Sequence, residues 1–219
     1  FRDADNDGDL DLYLNSWSTN IFLYTNNGGV FTAAGKVQAN DIPVHVDGYS
    51  SPVFADIDAD GDLDLYVGNN SGQLEVFTNN NGGFTGIGNL QSIGVTSSSA
   101  PTFADVDNDG DLDLYVGSYD GTIEVFNNTN GTFTSVGDLQ AGGNPLDIGY
   151  YARPAFADID GDGDLDLYVG KYAYIETFIN NAGVFTSTGN LQTAGFDVTG
   201  TYRSSPTFAD IDGDGDLDL

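Results

Sequence analysis

The chain has 219 residues, 34 acidic against 5 basic, for a formal charge of −29 at neutral pH, which excludes nucleic acid as a partner through like-charge repulsion. Its 39% hydrophobic and 12% aromatic content can fill a core, unlike the acidic tails that stay disordered. Cysteine and methionine are absent, so disulfides, thiolate metal sites and thiol nucleophiles are all ruled out.

No apolar run approaches the about 18 residues of a membrane-spanning helix, so no membrane insertion is expected. Without a methionine at position 1 the chain is expected to be a processed piece or a fragment.

From the N-terminus, the first elements are an aspartate-rich loop, Asp3 to Asp11, and an alternating run, Ile21-Phe22-Leu23-Tyr24. An Asn/Gly turn follows, then Phe31-Thr32, then Gly35-Lys36-Val37-Gln38. The order then starts again. The segment from Phe54 to Gly68 recurs at Phe103 to Gly117 and at Phe156 to Gly170, with variants at Phe1 to Leu14 and Phe208 to Leu219. The repeats run 3–55, 56–104, 105–157 and 158–209, with a truncated fifth at 210–219, and their periods are 53, 49, 53 and 52 residues.

In the second repeat the predicted strands are Val53 to Ala55, Leu63 to Val67, Leu74 to Thr78 and Phe84 to Leu90, short β-branched and aromatic runs bounded by Gly, Asn and Asp. The third and fourth repeats carry the same landmarks at Ile123 to Phe126, Phe133 and Gln140, and at Ile175 to Phe178, Phe185 and Gln192. Pro52, Pro101, Pro154 and Pro206 stand two residues before the motif Phe, where a strand-opening proline loses no ladder bond. No window sustains a 3.6-residue period.

Four antiparallel strands per unit of about 50 residues is the pattern of a β-propeller blade. The fold class is therefore all-β, with about four blades forming one partial propeller over 1–219. An open arc is expected, because the two end pieces copy the same blade segment and cannot complete one blade together.

Every repeat contains Asp-x-Asp-x-Asp-Gly-Asp-Leu-Asp. The metal-ligand candidates are Asp3, Asp5, Asp7, Asp9 and Asp11; Asp56, Asp58, Asp60, Asp62 and Asp64; Asp105, Asp107, Asp109, Asp111 and Asp113; Asp158, Asp160, Asp162, Asp164 and Asp166; and Asp210, Asp212, Asp214, Asp216 and Asp218. These hold 25 of the 34 acids, and five negative charges within nine residues repel unless a cation compensates. Calcium takes six to eight oxygens at about 2.3–2.6 Å, and alternate oxygens on a loop with a sharp glycine turn wrap such an ion. Up to five calcium ions are expected, one per loop. In the second copy Asp56, Asp58, Asp60 and Asp64 are assigned as side-chain ligands and Asp62 as a carbonyl ligand. Magnesium suits a loop of this kind less well, and transition metals lack their usual ligands. An EF-hand is excluded because position 12 holds Leu14, Val67, Val116 or Val169 where a bidentate Glu is needed.

The run Phe-Ala-Asp-Ile-Asp-Gly-Asp-Gly-Asp-Leu-Asp-Leu-Tyr-Val-Gly, followed by Phe-x-Asn and Gly-x-Phe-Thr, resembles the FG-GAP repeat family and its VCBS-type bacterial relatives. The likeness spans the whole chain. It implies a propeller usually of seven blades, with the metal loop joining a blade's first and second strands. It also implies an extracellular, secreted or cell-surface protein serving adhesion or ligand binding.

The segments 39–51, 92–100, 141–153 and 193–205 and the turns between second and third strands carry Trp17, His45, Tyr49, Tyr150, Tyr151, Arg153, Lys171, Tyr172, Tyr174, Tyr202 and Arg203. Loops on a rigid scaffold are where ligands bind, so an extracellular protein or glycan is the expected partner. The leading reading is a non-enzymatic calcium-binding scaffold, because a catalytic pair is normally unique and these aspartates recur in every repeat. The alternatives are a lectin-like propeller and the propeller part of a secreted polysaccharide-degrading enzyme.

Overall fold

The computed structural model describes residues 2–3, 7–15, 19–48, 50–90, 95–193, 195–199 and 204–208. All its named elements are β-strands. Two compact units divide the chain, Phe1–Ser99 and Ala100–Leu219.

In the first unit, β1 (Leu12–Asn15), β2 (Ile21–Asn27) and β3 (Val30–Lys36) form one antiparallel sheet, with an isolated Arg2–Asp11 bridge just ahead of β1. A short link hairpin follows, β4 (Gln38–Ala39) and β5 (Ile42–Pro43). The next blade comprises β6 (Ser51–Ala55), β7 (Asp64–Gly68), β8 (Leu74–Asn80) and β9 (Gly83–Asn89), paired antiparallel in chain order.

In the second unit, β10 (Ala100–Ala104), β11 (Asp113–Gly117), β12 (Ile123–Thr129) and β13 (Thr132–Asp138) make a blade of the same order. The link hairpin β14 (Gln140–Ala141) and β15 (Asn144–Pro145) precedes a further blade of β16 (Arg153–Ala157), β17 (Asp166–Gly170), β18 (Ile175–Asn181) and β19 (Val184–Asn190). A third link hairpin, β20 (Gln192–Thr193) and β21 (Phe196–Asp197), closes the described elements. The four strands expected per repeat are thus observed, and the fold is a β-propeller of four blades, the first represented by three strands and the bridge.

Hydrophobic patterning explains which strand lies where. The second strands β7, β11 and β17 are buried at all five positions, because both sheet faces are covered, which is why Leu-Tyr-Val reads as a run and not as an alternation. The third strands alternate, and the fourth are mostly exposed. Within each unit the motif tyrosine of one blade packs on the motif phenylalanine of the next: Tyr13 on Phe54 and Tyr115 on Phe156, both at 4.6 Å between ring centres. A β-bulge between third and fourth strands recurs at Leu23/Tyr24, Val76/Phe77, Val125/Phe126 and Thr177/Phe178. The glycine of each Gly-x-Leu/Val-Gln landmark sits at that bulge.

The link hairpins were not legible in the sequence. β4 pairs parallel with β9 at Ala39 opposite Phe84, and β14 pairs parallel with β19 at Ala141 opposite Phe185. Segments expected only to cross between blades therefore begin by adding an edge to the outer strand of the blade that follows. Val37, Ala39, Val44 and Val46 belong to the first unit's core, and Leu146 and Ala152 to the second's.

Candidate metal centre

In the second, third and fourth repeats the aspartate loop joins the blade's first and second strands. The first strand ends at the motif Ala, and the second begins at the loop's ninth residue, so strand pairing of Ala55 with Asp64 or Ala104 with Asp113 fixes the loop's two ends together. Between them, Gly61, Gly110 and Gly163 adopt φ of 94–95°, a region open to glycine, and they turn the chain back on itself. The carboxylate of position 1 braces that turn. Asp56 accepts from the N–H of Asp60 and of Gly61, and Asp105 accepts from Asp109 and Gly110, all at 3.1 Å. Asp3 accepts from Asp7 and Gly8 in the same way.

One carboxylate oxygen from each of Asp56, Asp58 and Asp60 lies within 4.8 Å of the others, and the same holds for Asp105, Asp107 and Asp109. In the fourth repeat the convergent set is Asp158, Asp160 and Asp166. Oxygens on opposite sides of one calcium ion stand about 5 Å apart, so each triplet has the spacing of a cation's shell. These groups can bind a metal ion.

Positions 7 and 9 do something different. The carboxylate of Asp62 turns outward and accepts from Asn81 N–H at 2.6 Å, Asp111 does so from Asn130 at 3.3 Å, and Asp164 from Ala182 at 2.7 Å. Asp9 takes Gly28 N–H at 2.6 Å. At position 9, Asp64, Asp113 and Asp166 are buried, and each gives one oxygen to the N–H of an asparagine: Asn79 at 2.7 Å, Asn128 at 2.8 Å and Asn180 at 2.9 Å. Asp11 does so to Asn26 at 2.6 Å. That asparagine also donates its side-chain amide to the carbonyl of position 8 (Leu63, Leu112 or Leu165) and accepts from a turn glycine N–H. It is the Asn of the Phe-x-Asn landmark. The sequence displays its recurrence but not its task, which is to fasten the metal loop to the turn between third and fourth strands. Asp5, Asp210, Asp212, Asp214, Asp216 and Asp218 lie outside the described residues, as do Trp17, Tyr49, Tyr202 and Arg203.

Crowding of acids shows in their titration. Burial raises the carboxyls of Asp64 and Asp113, partly countered by the asparagine N–H, with the neighbouring loop aspartates adding to the rise. Asp160 is raised, by desolvation first and by Asp162 next. Burial first and the loop carboxylates second raise Tyr66 and Tyr115, and Tyr168 to about 12. A bound cation would relieve these costs.

Several basic and acidic residues outside the loops are engaged locally. Lys171 pairs with Glu176 at 2.5 Å. Glu176 also accepts from Ser187, Glu124 from Ser135, and Glu75 from Asn69. His45 forms a bridge with Asn20, and Tyr174 one with Thr199.

The tyrosines partly converge. Tyr119, which the sequence did not single out, lies 5.6 Å from Tyr150 and 4.8 Å from Tyr151 between ring centres. The loops that carry them approach so closely that a side chain on Gly121 would stand 2.7 Å from the backbone of Gly149. Tyr151 itself is held at φ 59°, an uncommon conformation for so bulky a residue. The signal available was positional: Tyr119 and Tyr172 both occupy the turn between second and third strands.

Sequence comparison matches the FG-GAP-like repeat four times, at residues 3–67, 56–116, 105–169 and 158–219. No curated protein matches the chain. Among solved structures, an Agrocybe aegerita lectin recognising non-reducing terminal N-acetylglucosamine is 22% identical, with a TM-score of 0.49 over 86% of this chain and 50% of its own. A Bacteroides uniformis protein described as a candidate 6-phosphogluconolactonase is 17% identical, TM-score 0.48, over 86% and 52%. A Lactobacillus plantarum protein is 16% identical, TM-score 0.42, over 85% and 54%. The chain spans about half the length of these structures.

Proposed function

This chain belongs to the FG-GAP-like repeat family, and from that premise we propose that it is a calcium-binding propeller scaffold that serves extracellular binding or adhesion and carries no catalytic centre of its own. The observation that carries the reading is the recurrence of three convergent carboxylates, two of them exposed, in three of the described loops, with the buried position-9 aspartate either beside the set or, as Asp166, within it. Asp56, Asp58, Asp60 and Asp64 would hold the ion through side chains, and Asp62 through its carbonyl, since its carboxylate is spent on Asn81. Oxygen-only, multidentate, charge-rich donors suit calcium. Sites of about 10–100 μM affinity would be filled at about 1 mM free calcium and empty at the far lower levels at which intracellular sensors work, which favours secretion or display at a cell surface. No described helix is long and apolar enough to cross a membrane.

Calcium titration by calorimetry tests the assignment. Asp107→Ala removes a side-chain ligand and is expected to abolish one site, whereas Asp111→Asn keeps both the backbone carbonyl and an acceptor for Asn130 and is expected to weaken it only slightly. Equal losses would refute the ligand roles.

The tyrosine cluster favours a second reading, recognition of a glycan. Tyr119 and Tyr150, both exposed, present ring faces on a frame fixed by Tyr151, in a strongly acidic chain that suits a neutral sugar better than an anionic one. Glycan-array binding that Tyr150→Ala abolishes, with calcium affinity intact, would support it.

A further inference from the structure

Two turns of one backbone design carry different side chains. In the second repeat the turn after β7 is stitched to the link that leaves its blade, with Ser98 N–H donating to the Asn70 carbonyl at 3.1 Å and Ser99 N–H to the Asn69 carbonyl at 3.0 Å. In the third repeat the turn after β11 repeats the pattern, Tyr151 N–H donating to the Tyr119 carbonyl and Ala152 N–H to the Ser118 carbonyl, both at 3.0 Å. Ser98 and Tyr151 hold the same left-handed position, at φ 51° and 59°. A serine meets that requirement in one copy, so the fold does not call for a tyrosine, whose bulk makes left-handed backbone costlier. Held there, Tyr151 meets the ring of Tyr119 at 87°, and Tyr150 inclines to the same ring at 59°. Backbone strain that the fold itself does not need is found at ligand sites.

The same two loops carry acid. Asp120 follows Tyr119, Asp147 stands three residues before Tyr150, and both are exposed. Asp147 Oδ1 accepts from Gly149 N–H at 2.8 Å, which pins the carboxylate at the residue directly before Tyr150. Ile148 N–H donates to the Gly121 carbonyl at 3.1 Å and closes the frame between the loops. Of the basic residues nearby in the fold, Lys171 on the turn after β17 is committed to Glu176, and Arg153, two residues past Tyr151, has interactions of its own. The rings therefore sit among carboxylates on a chain whose formal charge is −29.

We propose that this corner binds a glycan bearing protonated amino groups, of the glucosamine type, an assignment that rests on the glycan reading above and narrows it by charge. Tyr150, 58% exposed, offers a ring face to the C–H face of a sugar. Electron-rich ring faces also attract an ammonium group. Carboxylates bind an ammonium through charge-assisted hydrogen bonds, give a neutral hydroxyl only ordinary ones, and repel a sulfated or carboxylated sugar. The stitched loops are preformed, so little ordering is lost on binding.

Calorimetric titration of the calcium-saturated chain tests this, with a β-linked glucosamine tetramer set against cellotetraose, which has hydroxyls where the amines stand. The buffer is held at about pH 6, below the range of amines, and at about 0.15 M salt to screen long-range attraction. The amino tetramer should bind about five- to tenfold more tightly, the margin of a charged over a neutral hydrogen bond. Asp147→Asn keeps the Oδ1 acceptor for Gly149 N–H and should remove most of that preference. Asp41→Asn, at an exposed acid of the other unit with the same loss of charge, should leave the preference in place. Tyr150→Ala should weaken both tetramers about tenfold. Equal affinity of the parent for the two tetramers would overturn the ammonium assignment and leave the glycan reading standing, whereas binding of neither would overturn both. An equal fall in preference with Asp41→Asn would trace it to the charge of the whole chain, and undiminished binding by Tyr150→Ala would place it elsewhere; either result overturns this site. Circular dichroism of each variant matching the parent guards against misfolding.

Discussion

The outer strands β3 and β19 begin with the same three residues, yet Phe31 is 47% exposed and Phe185 2%. The difference does not lie in the strands. β19 is covered because the link ahead of its blade is long enough to fold back as β14–β15, while β3 has no such neighbour among the described residues. The described aspartate loops vary less, the fourth repeat differing in drawing position 9 into its convergent set, since their partners come from their own blade. Local chemistry recurs from blade to blade here, whereas burial of an outer edge depends on a hairpin supplied from outside its own blade.

Calcium removal should give the largest effect and should treat covered and uncovered blades alike. With sites of about 10–100 μM affinity in about 1 mM calcium, each ion contributes about 1.4–2.7 kcal/mol, and several together rival the about 5–15 kcal/mol of a domain. Calorimetry with and without EGTA should show a melting temperature lowered by more than 10 °C, on the order expected for several kcal/mol. An unchanged transition would remove the loops from any account of stability.

Truncating the two phenylalanines sharpens the contrast between edges. Phe185→Ala should cost about 3–5 kcal/mol as a core deletion, and Phe31→Ala in dilute monomer about 0.5 kcal/mol or less as a surface change. Denaturant melts of both variants decide this, and equal costs would mean that the link hairpin is not what buries the ring.

The loops also set the direction of the pH response in calcium-stripped protein. Asp64 and Asp113 have folded-state values above the usual 3.8, so the native state holds more protons than the unfolded one between those limits. Their contribution to stability is therefore greatest at low pH and is lost as pH rises through the folded-state values. Asp197, lowered by its two amide donors, acts in the opposite sense, losing its contribution as pH falls below the usual value. Stripped protein should melt higher as pH is lowered toward the ordinary carboxylate value, and calcium-loaded protein lower, because its ligands must stay deprotonated. Parallel slopes in the two melting series would contradict the burial of position 9.

The smallest expected effect separates two loops of one design. Position 4 is left-handed in the second, third and fourth loops: Ala59 at φ 57°, Asn108 at 59° and Gly161 at 75°. Ala59→Gly should stabilise by about 0.5–1 kcal/mol and Gly161→Ala should destabilise by a similar amount. Thermal melts in saturating calcium would resolve the pair.

The sequence by itself determined the repeat, the four strands of each blade and the convergence of the aspartates, because each rests on residues close in sequence: alternation, turn glycines, and carboxylates two apart on one loop. It also marked the Phe-x-Asn and Gly-x-Leu/Val-Gln landmarks, without their tasks as loop fastener and bulge. Only the tertiary structure decided those tasks, since Asn79 meets Asp64 and Leu63 across a strand pair, 15 and 16 positions away. It alone decided the link hairpins, whose two-residue strands are too short to carry a period and gain their partners from a blade not yet formed when the link is read. It alone brought Tyr119 to Tyr150 and Tyr151 and separated Phe31 from Phe185. A local pattern can specify what a residue offers; burial depends on what the rest of the chain brings to it.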